Sequence, residues 1–208
     1  MSNRIYGRHY RHDNRCDEHP VWKKKTSRTY RYWPARRSLD QGDTPMCVGY
    51  AAAHWLACAP YHTKFIDPAG IYRYSQWEDE YEGEKYEGTS ILGAARVLQK
   101  CGVIKSYQWA KTVEQVVNHL LTTGPVMLGT DWTEGMETPY CGVIDDTGAF
   151  LGGHAYLAMG VNTDTGCVRV KNSWGRQWGE GGHAWLPDYV LDELLAADGE
   201  ACVAVPNQ

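Results

Sequence analysis

Residues 47–59, CVGYAAAHWLACA, contain no Asp, Glu, Lys or Arg. The run is Ala-rich and apolar nearly all round. It predicts a buried helix that opens at Met46 or Cys47 and stops at Pro60. A second helix is predicted from Pro68 to about Tyr81, with Asp67 as N-cap and Pro68 in the first helical position. A third runs from Thr89 or Ser90 to Cys101 and closes on Gly102. A fourth starts at Thr112, where Thr112 and Gln115 form a capping box, and ends at Gly124. Beyond Gly124 the texture changes. GPVMLGTDW, HAYLAMGV, GCVRVKN and HAWLP are short runs rich in Val, Leu, Tyr and Trp, and NTDTG (162–166) between two of them reads as a hairpin turn. Helices followed by strands predict an α+β fold rather than a wound parallel sheet.

The 208 residues suit one compact domain, or one domain plus a short arm. No apolar run approaches the 18 residues of a membrane span, so no membrane partner is expected. The start, MSNRIYGRHYRHDNR, is basic with no apolar stretch behind it, unlike a signal peptide. The net charge of −4 conceals a split: residues 1–37 hold eleven Lys/Arg against three Asp/Glu, a net +8, and the remainder holds ten against 22, a net −12. A basic arm therefore joins an acidic body. It either lies along that body or reaches for an acidic partner; the first is favoured, and nucleic acid is not expected. His9, His12, Cys16 and His19 are of zinc-ligand type, but Arg and Lys interleave them and no second motif closes a site, so no metal is expected. Seven Cys, an odd number without a CxxC pair, predict free thiols in a reducing compartment.

Three residues carry candidate chemistry. Cys47 opens the buried helix, where unpaired N–H groups and the helix dipole favour a thiolate. A nucleophilic Cys needs a base, and the base needs an orienting acceptor. His154 begins an apolar strand after two glycines, and Asn172 ends the next strand, so one hairpin would set them side by side. Taken alone, Cys47 reads sooner as a core residue and His154 as a structural histidine.

Taken together, they resemble papain-like cysteine peptidases. Gln41-Gly42-Asp43-Thr44-Pro45-Met46-Cys47-Val48-Gly49-Tyr50-Ala51 is similar to that family's nucleophile segment, with a Gln six residues before the Cys. Gly153-His154-Ala155 resembles its His segment. Residues 171–182, KNSWGRQWGEGG, resemble its K-N-S-W-G-x-x-W-G-E-x-G block. Glu87-Gly88-Thr89-Ser90 resembles one wall of the substrate cleft, and Gly124-Pro125-Val126 the start of the second subdomain. The likeness spans roughly residues 38–186 and favours the compact bacterial or bacteriophage-encoded members.

The resemblance implies a papain-like α+β fold. A helical left half with a central nucleophile helix would pack on a β-rich right half, with the cleft between them. Residues 1–37 would form the basic arm and 38–208 the peptidase domain, helical to about 123 and β-rich from about 124. It implies Cys47 as nucleophile, poised as a thiolate–imidazolium pair with His154. His154 would be the base and then the acid, and Asn172 would orient the imidazole. Trp174 would shield that hydrogen bond, and Gln41 with the Cys47 N–H would form the oxyanion hole. Gly88, Thr89, Ser90, Gly153 and Trp174 would line the cleft. The activity implied is thiol-dependent hydrolysis of a polypeptide substrate through an acyl-enzyme, with no cofactor. The location implied is cytoplasmic or virion-associated, with a virion or host protein as a candidate partner. Two alternatives stay open: a catalytically weak structural or binding component of an assembly, and an acyltransferase, isopeptidase or cell-wall amidase.

The departures are specific. Thr44 stands where the family has a second Cys, so its usual disulfide cannot form. His154 and Asn172 follow Cys47 by 107 and 125 residues, a trimmed spacing. Thr89 replaces a cleft-wall Gly, and Gly153 precedes the His. The acidic run Glu78–Glu87 leads into the cleft wall, so the basic arm is also a candidate autoinhibitor. Residues Tyr30 to Asp40 would otherwise simply cross between the halves.

Overall fold

The computed structural model describes residues 4–13, 21, 23–35, 38–63, 66–79 and 86–206. Helix α1 (Cys47–Ala57) is buried at every position except Tyr50. Its four alanines and one glycine leave little side-chain bulk, so neighbours pack close to its axis. Helix α2 (Pro68–Asp79) lies against α1 and against α3 (Ile91–Lys100). Ser90 caps α3 by accepting the Gly93 N–H at 2.9 Å, and Gly102, at φ +69°, takes the left-handed turn past its end.

The rest is built on one sheet. Strands β4 (Ile104–Trp109), β5 (Val126–Thr133), β6 (Phe150–Asn162), β7 (Cys167–Lys171), β8 (His183–Pro187) and β9 (Glu200–Pro206) run in the order β4-β9-β5-β6-β7-β8. The pairings are antiparallel, and β2 (Tyr30–Tyr32) joins β6. The apolar residues form two clusters. One joins α1, α3 and parts of β4–β6 and β9 through Trp55, Ile91, Met127 and Leu157. The other gathers Trp132, Trp174, Trp178, Tyr156 and Leu186 with α4 (Val113–Thr122), Met136 of the short α5 (Glu134–Glu137) and α6 (Asp188–Ala196). Trp55 ties the clusters, donating its indole N–H to the Pro125 carbonyl at 3.1 Å. Tryptophan and tyrosine supply core bulk; the indole N–H groups of Trp33, Trp109 and Trp178 find acceptors, whereas those of Trp132 and Trp174 are buried without one.

Several sequence expectations need correction. The division into helices first and strands second fails at β4, which lies ahead of α4 and pairs with β9. A register shift between Ile104 and Ser106 breaks its period-two pattern, which hides it as a strand. Helix α6 did carry a helical signal, because Val190, Leu191 and Leu194 share its buried face. Thr112 caps α4 as expected, but Gln115 takes the N–H of Lys111, not that of Thr112, so the box is not reciprocal. Residues 1–37, expected only as a basic arm, contribute two strands: β1 (Arg8–His9) pairs in parallel with β3 (Thr89–Ser90), and β2 joins the sheet. Tyr81 and most of the acidic run, with Cys16 and His19 of the candidate metal cluster, lie outside the described residues. Among the described residues no group of three or more His, Cys, Asp or Glu is placed to hold a metal, and no helix is long and apolar enough to cross a membrane.

Burial lowers four histidines well below 6.5: His54 to about 3, and His119, His154 and His183 to about 4. The unfolded chain therefore takes up more protons than the folded one as pH falls below 6.5, and stability drains away toward pH 4. Burial raises Glu200 to about 7 and also raises Asp188, which acts in the opposite sense but for two groups against four. The melting temperature should fall between pH 7.5 and pH 5 in calorimetry. A flat or rising profile would contradict the burial assigned to these rings.

Candidate active site

Cys47 is the first residue of α1, at a helix end with no side-chain cap. The open N–H groups there are drawn to its sulfur. Backbone N–H groups of Val48, Ala155 and Gly7 all donate toward it. Ala155 comes from β6, so the strand that carries His154 abuts the helix that carries Cys47.

The β6–β7 hairpin sets Leu157 opposite Lys171, so Asn172, the next residue, reaches the same face as His154. His154 Nε2 lies 2.9 Å from Asn172 Oδ1. That oxygen also accepts the Ser173 N–H at 2.7 Å. An atom that accepts from a backbone amide must be the carbonyl oxygen, so Nε2 of His154 carries the hydrogen. Nδ1 is then the bare nitrogen, and it is buried with no hydrogen-bond partner. Aromatic rings enclose the imidazole: Trp132 and Trp174 centroids lie 4.7 Å away and Tyr156 stacks at 6.1 Å. Asn172 is fully buried beneath them.

Gln41 reaches the same place from the other half of the fold. Its backbone N–H donates to the Ser173 carbonyl at 2.8 Å, and its Oε1 accepts the Ser173 hydroxyl at 2.7 Å. One hydrogen of its Nε2 goes to the Thr44 carbonyl. Ser173 thus locks Gln41 and Asn172 together. It sits in the conspicuous 171–182 block but drew no role from sequence, since nothing in its neighbourhood points to residue 41.

Residues 88–90, expected to wall the cleft, are organised by Asp79, which is buried. It accepts the hydroxyls of Thr89 and Ser90 and, at 2.8 Å, the Ser90 N–H. Gly88 donates its N–H to the Tyr72 hydroxyl at 2.9 Å. Thr89, the departure from a glycine, is therefore turned inward as a donor to Asp79. Asp79 was missed because it stands ten residues before the wall, at the end of a helix.

The N-terminal segment runs between Thr89, Pro45 and Gly153, through the place expected for the cleft. Gly7 accepts the Thr89 N–H at 2.8 Å and lies against Pro45, where a Cβ on Gly7 would stand 1.9 Å from the carbonyl oxygen. Across the cleft, a Cβ on Gly153 would stand 2.3 Å from the Arg8 carbonyl oxygen. Ordering backbone costs about 1–2 kcal/mol per residue, and the segment offsets this with an anchor at nearly every step. Arg4 lies over the Trp174 ring and Tyr6 bonds Glu137. Arg8 pairs with Glu200, Arg11 with Asp79, and Asp13 accepts from Trp109. Cys47 and His154 are left with no exposed surface.

Burial decides the charge state. It pushes the Cys47 thiol up, and the three donated N–H groups only partly reverse this. Burial lowers His154 to about 4; the Asn172 hydrogen bond opposes it and the Arg4 charge adds to it. With the cleft filled, the neutral thiol and imidazole are favoured over the thiolate–imidazolium pair expected from sequence. Nitrogen NMR of the intact chain should show His154 neutral, with hydrogen on Nε2, from pH 7 down to about 5. Titration near 6.5 would show the site open to water.

The sequence matches the papain family cysteine protease model over residues 57–190, a stretch that holds His154 and Asn172 and starts after Cys47. An uncharacterised peptidase C1-like protein of Acanthamoeba polyphaga mimivirus is 33% identical, the match covering 79% of this chain and 68% of the relative. Cathepsin B-like cysteine proteinase 5 of Caenorhabditis elegans is 37% identical over 81 residues, 38% of this chain and 24% of that protein. Among solved structures, xylellain, a cysteine protease from Xylella fastidiosa, superposes with a TM-score of 0.75 over 100% of this chain and 98% of its own, at 17% identity. Bromelain from Ananas comosus, in complex with the E64 inhibitor, gives 0.61 over 83% and 94%, at 16% identity. At such identities the structural likeness speaks for the fold.

Proposed function

The chain belongs to the papain family of cysteine proteases, and from that premise we propose that it hydrolyses peptide bonds through Cys47, His154 and Asn172 by way of an acyl-enzyme. The observation that carries this reading is the bare, buried Nδ1 of His154, with its tautomer fixed through Asn172 and Ser173. That nitrogen takes the proton from Cys47. The thiolate attacks the scissile carbonyl carbon, and the Cys47 N–H with the remaining Nε2 hydrogen of Gln41 receives the oxyanion. As the intermediate collapses, the C–N bond breaks and His154 gives its proton to the departing amine. Water then attacks the thioester and passes a proton to Nδ1, and the acid leaves as that proton returns to the sulfur. Trp174 and Trp132 keep water from the His154–Asn172 bond throughout.

In the closed form this cycle is idle. The N-terminal segment presents an N–H, that of Gly7, to the Cys47 sulfur where a substrate would present a carbonyl carbon. The segment thus occupies the place of a substrate and blocks the cleft. Its departure admits water and substrate, removes most of the desolvation at Cys47 and His154, and leaves the helix end to favour the thiolate.

Gly7→Val in the full-length chain should dislodge the segment and raise turnover of a mixed fluorogenic peptide library at least tenfold. Cys47→Ala in that background should abolish it. Gln41→Ala should lower kcat by about 10²–10³ with little change in KM. Turnover that survives Cys47→Ala would sink the mechanism, and a folded Gly7→Val chain inert toward every peptide would sink the activity.

A further inference from the structure

A pocket of about 270 Å³ opens between β2 and the β7–β8 hairpin, lined by Tyr30, Arg31, Tyr32, Arg169, Glu180, His183 and Trp185. Neither Cys47 nor His154 takes part in it. The sheet register explains the hollow. Tyr32, Gly160, Arg169 and Trp185 stand in one row across β2, β6, β7 and β8. Gly160 has no side chain to fill the space between its neighbours, and a Cβ there would meet the Tyr32 ring at 3.1 Å and the Arg169 Cβ at 3.3 Å. The Arg169 guanidinium lies over the Trp185 ring, 4.9 Å from its centroid. Such stacking uses the flat face of the guanidinium and leaves its N–H edge for acceptors. Nη2 donates to Glu180 Oε2 at 3.0 Å. Nη1 is buried and donates to nothing among the described residues, and Arg31 Nε is left likewise. A buried donor without an acceptor costs free energy that an incoming acceptor recovers. The Arg31 guanidinium is held over the Trp33 ring at 4.4 Å, so the acceptor falls to Arg169.

The charge around the pocket is one-sided. Lys171 stands opposite His183 in the β7–β8 register. It is 2% exposed and makes its hydrogen bond to Ser38 Oγ, at 3.4 Å, not to a carboxylate. Burial lowers His183 to about 4, and the charges of Lys171 and Arg169 add to this. Among the described residues that line the pocket, Glu180 is the one carboxylate, and its side chain is 57% exposed. It can turn into water at little cost, and Arg169 would then present two neighbouring nitrogens. We propose that this pocket binds a phosphoryl group, with Nη1 and Nη2 of Arg169 on two of its oxygens. The planar fork matches a tetrahedral oxyanion in two-pronged fashion. A dianion also answers the buried charge of Lys171 behind it, which a single carboxylate answers less well. Tyr30 and Tyr32 stand exposed at the mouth and offer flat faces to whatever carries the phosphoryl group. Free phosphate and a small phosphate monoester bring the same chemistry to Arg169, and the organic group of the ester would lie against the tyrosines.

The test titrates the full-length protein by calorimetry with sodium phosphate, phenyl phosphate and sodium acetate at matched ionic strength. Both phosphates should bind saturably at one site, with acetate weaker by about tenfold or more. Bound phosphate should shift the Trp185 indole and His183 ring resonances in NMR. Arg169→Gln should weaken both phosphates by about tenfold or more. Glu180→Gln should tighten them several-fold, because it frees Nη2; as a change at an exposed side chain it keeps the test alive if Arg169→Gln does not fold. Tighter binding of phenyl phosphate than of phosphate would identify an ester with a flat group as the ligand form. Equal binding would identify the free ion, and either supports the site. No saturable binding, acetate as tight as phosphate, or affinities that Glu180→Gln and a folded Arg169→Gln leave unchanged would overturn the proposal.

Discussion

A Cβ on Gly7 would lie 1.9 Å from the Pro45 carbonyl oxygen. Only a bare backbone fits between Pro45, just ahead of α1, and Thr89, and this contact governs the rest of the site. It brings the Gly7 N–H onto the Cys47 sulfur, removes water from His154, and fixes where Arg8 and Tyr6 can go. Arg8 falls into the acidic pocket at Glu200, and Tyr6 packs edge-on to His154 and Trp174. The cleft wall meets the segment through Thr89 because Asp79 has taken the Thr89 and Ser90 side chains inward. The backbone of the wall is thereby left free to pair.

The same three groups can support two electrostatic regimes. A helix N-terminus and donated N–H groups favour a thiolate. Exclusion of water opposes both members of an ion pair, raising the thiol and lowering the imidazole. With the segment in place the second influence wins at Cys47 and His154. The hydrogen bond from His154 to Asn172 and the grip of Ser173 on Gln41 involve no atom of the segment. The parts proposed for catalysis are therefore assembled while the charge state that would drive them is withheld.

Much of this was legible in the chain. The charge-free run from Cys47, the glycines before His154 and the block 171–182 located helix, strand and hairpin, because each is a local pattern with local causes. The opposition of a basic start and an acidic body pointed to the N-terminal segment lying on the rest. What could not be read were partnerships between distant residues. Arg8 and Glu200 are 192 residues apart, and neither stands in a motif. Ser173 stood in plain view, but its function depends on where Gln41 arrives. Thr89 read as a departure because a glycine's absence is visible in a sequence and a buried acceptor such as Asp79 is not. The register shift concealed β4 for a related reason: the periodicity that announces a strand is lost where the strand is irregular.

The alkylation rate of Cys47 reports whether the N-terminal segment withholds the thiolate. Full-length protein is treated with limiting iodoacetamide at pH 6 and the labelled cysteines are mapped, with exposed Cys101 as the internal reference. An ordinary thiol, with a pKa of about 8.5, reacts slowly there. The account predicts that Cys47 of the intact chain is labelled more slowly than Cys101. In Gly7→Val it should be labelled much faster than Cys101, and in Gly7→Val with His154→Ala slowly again. Fast labelling of Cys47 in the intact chain, or no gain in Gly7→Val, would contradict it.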